Sequence, residues 1–302
     1  MPVLDVGPRV ARRVPDTFDT RPYERFTVRP LAPTIGAEIG GLHLGTDLDD
    51  ELLAELRRAL LEWKVLFFRN QDITRDEQRA FAQRWGALEQ HPFYRYVQPG
   101  KQQTDADVVR LSKDQLSPGV ENEWHQDLTW HARPSFGAVL RAVEVPTVGG
   151  DTLWVDTAAA YDDLPEAIRD RIEGLTAVHD WRRSFGLAME PELVERLSPE
   201  FPPAVHPVVR AHPETGRRTL FVNAIFTDAI VGLDHDESEA LLDRLFAQYR
   251  KPEFQCRFHW TPGAVAFWDN RATAHYAASD YHPQPRVMDR ISIVGDQPHG
   301  PA

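Results

Sequence analysis

The chain has 302 residues, 42% hydrophobic and 26% charged, an ordinary globular composition with enough apolar material for a sizeable core. A formal net charge of −12 argues against a nucleic-acid or acidic-membrane surface, because phosphates demand clustered lysine and arginine. Cys256 is the single cysteine, which excludes an intrachain disulfide and points to the cytoplasm, and no apolar run approaches the roughly 20 residues of a membrane-spanning helix.

Residues 1–24 mix Arg, Pro and Asp without a period and lack the continuous apolar stretch of a secretory leader. They are expected to form a flexible arm or a strap on a neighbouring subunit, ahead of a single domain over 25–302. "FTVRPLAPTIGAEIGGLHLG" is strand-like, with turns at Gly36, Gly40 and Gly41. "DDELLAELRRALLEWK" has apolar residues at helical spacing and acidic residues in its first turn, where the helix dipole favours them. It runs into "VLFFRN", which reads as a buried strand. Thr74 and Glu77 predict a capping box for the next helix, ended by Gly86.

Short strand-like runs then dominate: "DVVRLS", "GAVLRAVEV", "DTLWVD", "TLFVN", "FQCRFHW", "AVAFWD" and "DRISIVGD". Helices are predicted in "DLPEAIRDRIEGL" and "DESEALLDRLFAQYR", the second stopped before Pro252. Many short strands with Pro- and Gly-rich turns predict a mainly β fold with helical inserts, of jelly-roll type. No Gly-rich phosphate loop and no Gly-x-Ser-x-Gly elbow is present.

The chemistry centres on "ENEWHQDLTWHARP", residues 121–134. In a strand, His125 and Asp127 would point to the same side, offering one imidazole and one carboxylate to a metal. The "HPETG" run at His212 is a competing His-x-Glu, but its Pro and Gly mark a hairpin turn. A third ligand could come from His179, His206, His259, His275 or His282. His275 follows a strand end in "AVAFWDNRATAHY", a position suited to the mouth of a barrel, and equally open to a capping histidine. Arg286 and Arg290 would share one face of a strand, where they either meet an anion or form internal salt bridges. His131 reads as a surface histidine and Cys256 as a small core residue.

Taken together, "HPFY", "WHQDLTW", "GGDTLW", "HDWRRSFG", "HPVVRAHPETG", "LFVNAIFT", "WDNRATAHY" and "YHPQPRVMDR" resemble the taurine dioxygenase family of Fe(II)- and 2-oxoglutarate-dependent oxygenases. The resemblance implies a double-stranded β-helix, with His125, Asp127 and His275 as the Fe(II) ligands. It implies that Thr152 and Arg286 hold the distal carboxylate of 2-oxoglutarate, leaving a position for O₂. His91, Arg290 and the backbone N–H of Leu128 would bind a sulfonate, and Tyr94, Ser184, Phe185 and Phe226 would surround the carbon chain and amine. Glu121 stands where the taurine enzyme has an asparagine near the substrate amine, and Gln126 and Trp130 also depart from the pattern.

The implied reaction hydroxylates the carbon next to a sulfonate of a small anionic substrate, releasing sulfite and an aldehyde with succinate and CO₂. The same chemistry on an alkyl sulfate, an aryloxy-carboxylate or an amino-acid-derived metabolite is the near alternative. A binding protein on the same fold or a zinc hydrolase would leave Thr152 and Arg286 without a role. Family members are commonly homo-oligomers, and the same is expected here.

Overall fold

A computed structural model describes residues 6–9, 11–46, 48–93, 107–117, 119 and 122–301. Strands β1 (Thr27–Pro30) and β2 (Ala37–Gly40) precede helix α1 (Asp50–Trp63). Asp49 caps α1 by accepting the Leu52 N–H, and Lys64, at φ 62°, ends it in the left-handed conformation. The chain passes straight into β3 (Val65–Phe68), as predicted. Helix α2 (Arg75–Gln83) carries the expected capping box between Thr74 and Glu77.

Then follow β4 (Val109–Lys113), β5 (Gly137–Glu144), β6 (Thr152–Asp156), β7 (Thr176–His179) and β8 (Ala204–Pro207). Next come β9 (Val209–Ala211), β10 (Arg218–Leu220) and β11 (Thr227–Ile230). The chain closes with β12 (Gln255–Phe258), β13 (Val265–Asp269), β14 (Thr273–Ala277) and β15 (Arg286–Ile293). The two predicted helical inserts form at Glu166–Ile172 and His235–Tyr249. Short helices at Thr157–Asp162 and Pro191–Leu197 add to them. "TLFVN" is a strand only to Leu220, and "HPETG" joins β9 to β10 as the expected hairpin.

Seven strands form one sheet in the order β1-β2-β3-β13-β5-β15-β4, and three form a second, β12-β6-β14. Their inner faces meet in a cluster that includes Val65, Phe67, Leu140, Trp268 and Met288 from the first and Trp154, Cys256 and Phe258 from the second. Phe67 stacks on Phe258 with ring centroids 4.1 Å apart and meets Trp154 edge-on at 5.2 Å. Burying each such side chain contributes about 1.5–3 kcal/mol. The opposite face of the large sheet, through Leu66, Phe68, Val139, Phe267 and Ile291, packs on α1 and α2. Both faces are therefore apolar, so "VLFF" reads as a continuous run rather than an alternating one.

Lys64 joins three parts of the chain. Its Nζ is 3.1 Å from the Asp156 carboxylate and donates to the carbonyls of Thr34 and Arg13. Arg9 pairs with Asp163, Arg13 with Glu62, and Arg217 donates to the Arg12 carbonyl. The described residues of the N-terminal segment, 6–9 and 11–24, thus strap across their own domain. Among the described residues, no helix is long and apolar enough to cross a membrane.

The register of β5 on β13 sets the position of the turn after β13. Gly137 lies opposite Asp269, and a Cβ on Gly137 would stand 2.0 Å from the Trp268 carbonyl oxygen. No side chain fits there without moving backbone. Gly137→Ala is therefore expected to destabilise the protein by about 3 kcal/mol or more, measured as a shift in the urea unfolding midpoint.

Candidate active site

The space between the two sheets opens at one end into a cavity of about 420 Å³. At its base His125 and His275 form an isolated antiparallel bridge, each N–H donating to the other's carbonyl at 2.9 and 2.8 Å. His275 lies in the middle of β14 rather than past a strand end, because residues 270–272 turn the chain before it. Asp127 also departs from the expected strand geometry. It opens a turn that starts just after the bridge, so the two side chains converge through bridge and turn rather than by strand alternation.

The turn is held by Asn270. Its Oδ1 accepts the Asp127 N–H at 2.9 Å, and its Nδ2 donates to the carbonyls of Asp127 and Ser135 at 3.0 and 3.1 Å. Ligating atoms of His125, Asp127 and His275 all lie within 4.8 Å of one another. His125 Nδ1–H donates to the Glu123 carbonyl at 2.9 Å, which orients the ring. Asp127 Oδ2, 3.9 Å from His275 Nε2, is buried with no hydrogen-bond partner among the described residues.

The protonation states also suit a cation. Burial lowers the His275 pKa to about 3, helped by His125, so this ring is neutral at pH 7. Burial alone would raise the Asp127 pKa, but Arg290, His275 and His125 outweigh it and bring it to about 2. Two imidazoles and one carboxylate on a single side of an ion leave further positions open for exchangeable ligands. The donor set fits a divalent metal.

Two arginines of β15 face the same cavity, as expected from their spacing. Arg286 donates from Nε to the Gly150 carbonyl at 3.0 Å and from Nη2 to Thr152 Oγ1 at 3.3 Å. Thr152 Oγ1 also accepts Trp260 Nε1–H at 3.0 Å. Arg290 donates from Nη1 to Asp127 Oδ1 at 2.9 Å, while its Nε–H is buried without a partner among the described residues. Of the two expectations for Arg290, the structure shows the internal salt bridge.

His91 lines the cavity near this arginine, and its Nδ1 accepts the Phe93 N–H at 3.2 Å. Burial, with the charge of Arg290, lowers its pKa to about 4. The neutral ring therefore carries its proton on Nε2, free to donate. Leu128, Ser184, Phe185 and Phe226 line the cavity too, and Phe185 stacks on Phe226 at 5.8 Å. Tyr94 and Glu121 lie outside the described residues.

The remaining histidines separate clearly. His131 is half-buried rather than on the surface, with its ring edge-on to Trp130 and near-parallel to Phe201. His212 binds Asp269 at 3.0 Å, and His259 binds Asp151 at 2.9 Å. His179 is fully buried against Thr129, and His206 reaches the His131 carbonyl. Gln126 is buried with its Nε2 toward the Leu220 carbonyl, and Trp130 stacks on Phe93.

Several cavity residues were not singled out in the sequence. Val109, Leu111 and Lys113 line the cavity from β4, where Val109 pairs with Arg290 and Lys113 with Arg286. Arg110 and Ser112 of the same strand line it as well, so strand alternation alone does not pick out these residues. Ile225 and Trp268 line it too.

Comparison with known proteins agrees with this geometry. Residues 27–292 match the family described as "Taurine catabolism dioxygenase TauD, TfdA family". An alkylsulfatase of Acinetobacter baylyi is 39% identical over 93% of this chain and 88% of its own length. An alpha-ketoglutarate-dependent sulfate ester dioxygenase of Pseudomonas putida is 37% identical, covering 90% and 91%. The crystal structure of a taurine dioxygenase from Burkholderia xenovorans superposes with a TM-score of 0.78 at 38% identity, over 92% of this chain and 94% of that one. The chain belongs to the TauD/TfdA family and is a 2-oxoglutarate-dependent dioxygenase with a His–Asp–His metal site.

Removing one ligand should release the metal. Asp127→Ala is expected to weaken Mn(II) binding about a hundredfold or more, measured by titration of the free ion's paramagnetic resonance signal.

Proposed function

We propose that this dioxygenase uses Fe(II) on a double-stranded β-helix core to hydroxylate the carbon that bears the sulfate group of a small alkyl sulfate. One oxygen atom of O₂ enters the substrate and the other enters succinate, as 2-oxoglutarate loses CO₂. The 1-hydroxyalkyl sulfate then breaks its bond to the sulfate oxygen, giving an aldehyde and inorganic sulfate. Iron, when bound, supplies the redox chemistry that activates O₂.

The chain's own residues bind and orient. His125, Asp127 and His275 hold the metal on one side. Arg286 and Thr152 take the distal carboxylate of 2-oxoglutarate, a planar group that a guanidinium matches well. Arg290 through Nε–H, His91 through Nε2–H and the Leu128 N–H receive the sulfate oxygens. Ser184, Phe185 and Phe226 enclose the carbon chain, and Tyr94 and Glu121 are placed beside them on the resemblance alone.

The lining of the cavity supports the alkyl sulfate reading. Beyond its cationic end the wall includes Phe93, Leu128, Phe185, Ile225 and Phe226. Among the described lining residues Asp127 is the only carboxylate, and it serves the metal and Arg290. An alkyl chain gains from burial against these aromatic and aliphatic side chains. The names of the Acinetobacter and Pseudomonas relatives support this class. The similar structure from Burkholderia supports the sulfonate reading, in which the same hydroxylation cleaves a C–S bond and releases sulfite.

Hexyl sulfate, hexanesulfonate and taurine, each supplied with Fe(II) and 2-oxoglutarate, separate these readings. Succinate and inorganic sulfate should rise together with hexyl sulfate, with little product from taurine. Sulfite from hexanesulfonate at the higher kcat/KM would favour the sulfonate reading instead. Arg286→Met should raise the KM for 2-oxoglutarate about tenfold to a hundredfold, the scale of one charged hydrogen-bonding group, with a smaller change in the KM for hexyl sulfate.

A further inference from the structure

Leu128 has φ 52°, a left-handed conformation that a leucine adopts only when its surroundings impose it. The constraint acts on both sides. On the C-terminal side, Thr129 Oγ1 is bound by His179 Nδ1 at 2.9 Å and by Asn223 Nδ2 at 3.0 Å. On the N-terminal side stands Asn270, buried in the turn between β13 and β14 with its own N–H donated to the Phe136 carbonyl.

Asn270 uses its whole amide here. It accepts from the Asp127 N–H and donates to the carbonyls of Asp127 and Ser135. The Asp127 carbonyl and the Leu128 N–H are two ends of one planar trans peptide, so they point in opposite directions. Asn270 lies in the interior and does not line the cavity, whereas Asp127 and Leu128 do. Holding the carbonyl on the Asn270 side aims the N–H toward the cavity. A peptide free to rotate would turn that N–H away and could present a carbonyl oxygen to an anion.

We propose that Asn270 is a positioning residue for substrate recognition: by fixing the Asp127–Leu128 peptide it aims the Leu128 N–H at the oxyanion of the substrate. This rests on the reading of the cavity as a site for a sulfate or sulfonate. Asn270 touches neither substrate nor metal and acts through one peptide plane. The same side chain holds the backbone of a metal ligand, so metal and anion sites share one brace.

The test compares Asn270→Asp and Asn270→Ser with the wild type. Aspartate keeps the acceptor for the Asp127 N–H and loses both donated hydrogen bonds. Serine is neutral and guards against a variant that fails to fold. Binding of hexyl sulfate and hexanesulfonate is measured anaerobically on protein loaded with Fe(II) and 2-oxoglutarate, alongside 2-oxoglutarate affinity and thermal melting. Turnover is followed as the ratio of succinate to oxidised substrate.

For the folded variants, anion affinity should fall roughly tenfold to a hundredfold, the scale of losing one hydrogen bond to a charged group. The 2-oxoglutarate affinity should stay within about threefold, well under that scale. The ratio of succinate to product should rise as misaligned substrate escapes oxidation. Unchanged anion affinity in either folded variant overturns the proposal. So does an equal loss of affinity for anion and 2-oxoglutarate, which would mark a general structural role. A wild type that binds neither anion overturns the underlying reading as well, so that failure appears before any variant is measured.

Discussion

His125 and His275 exchange both backbone hydrogen bonds, and the rest of the site depends on this single bridge. It ties the segment before β5 to the middle of β14, within the three-stranded sheet. Once it forms, the two imidazoles stand with ring centroids 4.1 Å apart and need only a carboxylate beside them. The turn that follows supplies Asp127, and Asn270 locks that turn from the loop leading into β14. Metal ligands far apart in sequence are therefore positioned by main-chain geometry, which is stiffer than side-chain packing alone.

That geometry requires the large sheet to stand in register behind it. Gly137 and the end of β13 approach so closely that only a hydrogen fits, and the turn carrying Asn270 begins at that contact. Phe67, Trp154 and Phe258 fill the space between the sheets below the cavity. Lys64, at the junction of α1 and β3, ties Asp156 at the end of β6 to the N-terminal strap. Packing energy spent across the whole domain thus appears at the site as rigidity.

The charges in the cavity are economical. Asp127 is the one carboxylate among the described lining residues, shared between the metal position and Arg290. Arg290 Nε–H is buried without a partner among the described residues, and Arg286 is oriented by Gly150 and Thr152. The protein carries a net charge of −12, yet its cavity gathers cationic side chains from β4 and β15. A small anion is therefore drawn to this cavity rather than to the surface at large.

Much of this was legible in the residues. The capping box at Thr74, the buried run of β3, the hairpin at "HPETG" and the shared face of Arg286 and Arg290 follow from local rules of spacing and turn chemistry. The order of the motifs around His125, Asp127 and His275 identified the family and its chemistry. Local rules failed where the partner was remote. Strand alternation placed Asp127 beside His125 for the wrong reason, and His131 read as exposed because its aromatic neighbour Phe201 is far along the chain. Sequence by itself determined which groups this protein carries and the reaction class they serve, since those depend on residue type and order. Only the tertiary structure decided how Asn270 holds the Asp127 backbone, that Arg290 pairs with the Asp127 carboxylate, and that β4 lines the site. Those are contacts between distant segments, and no local periodicity encodes them.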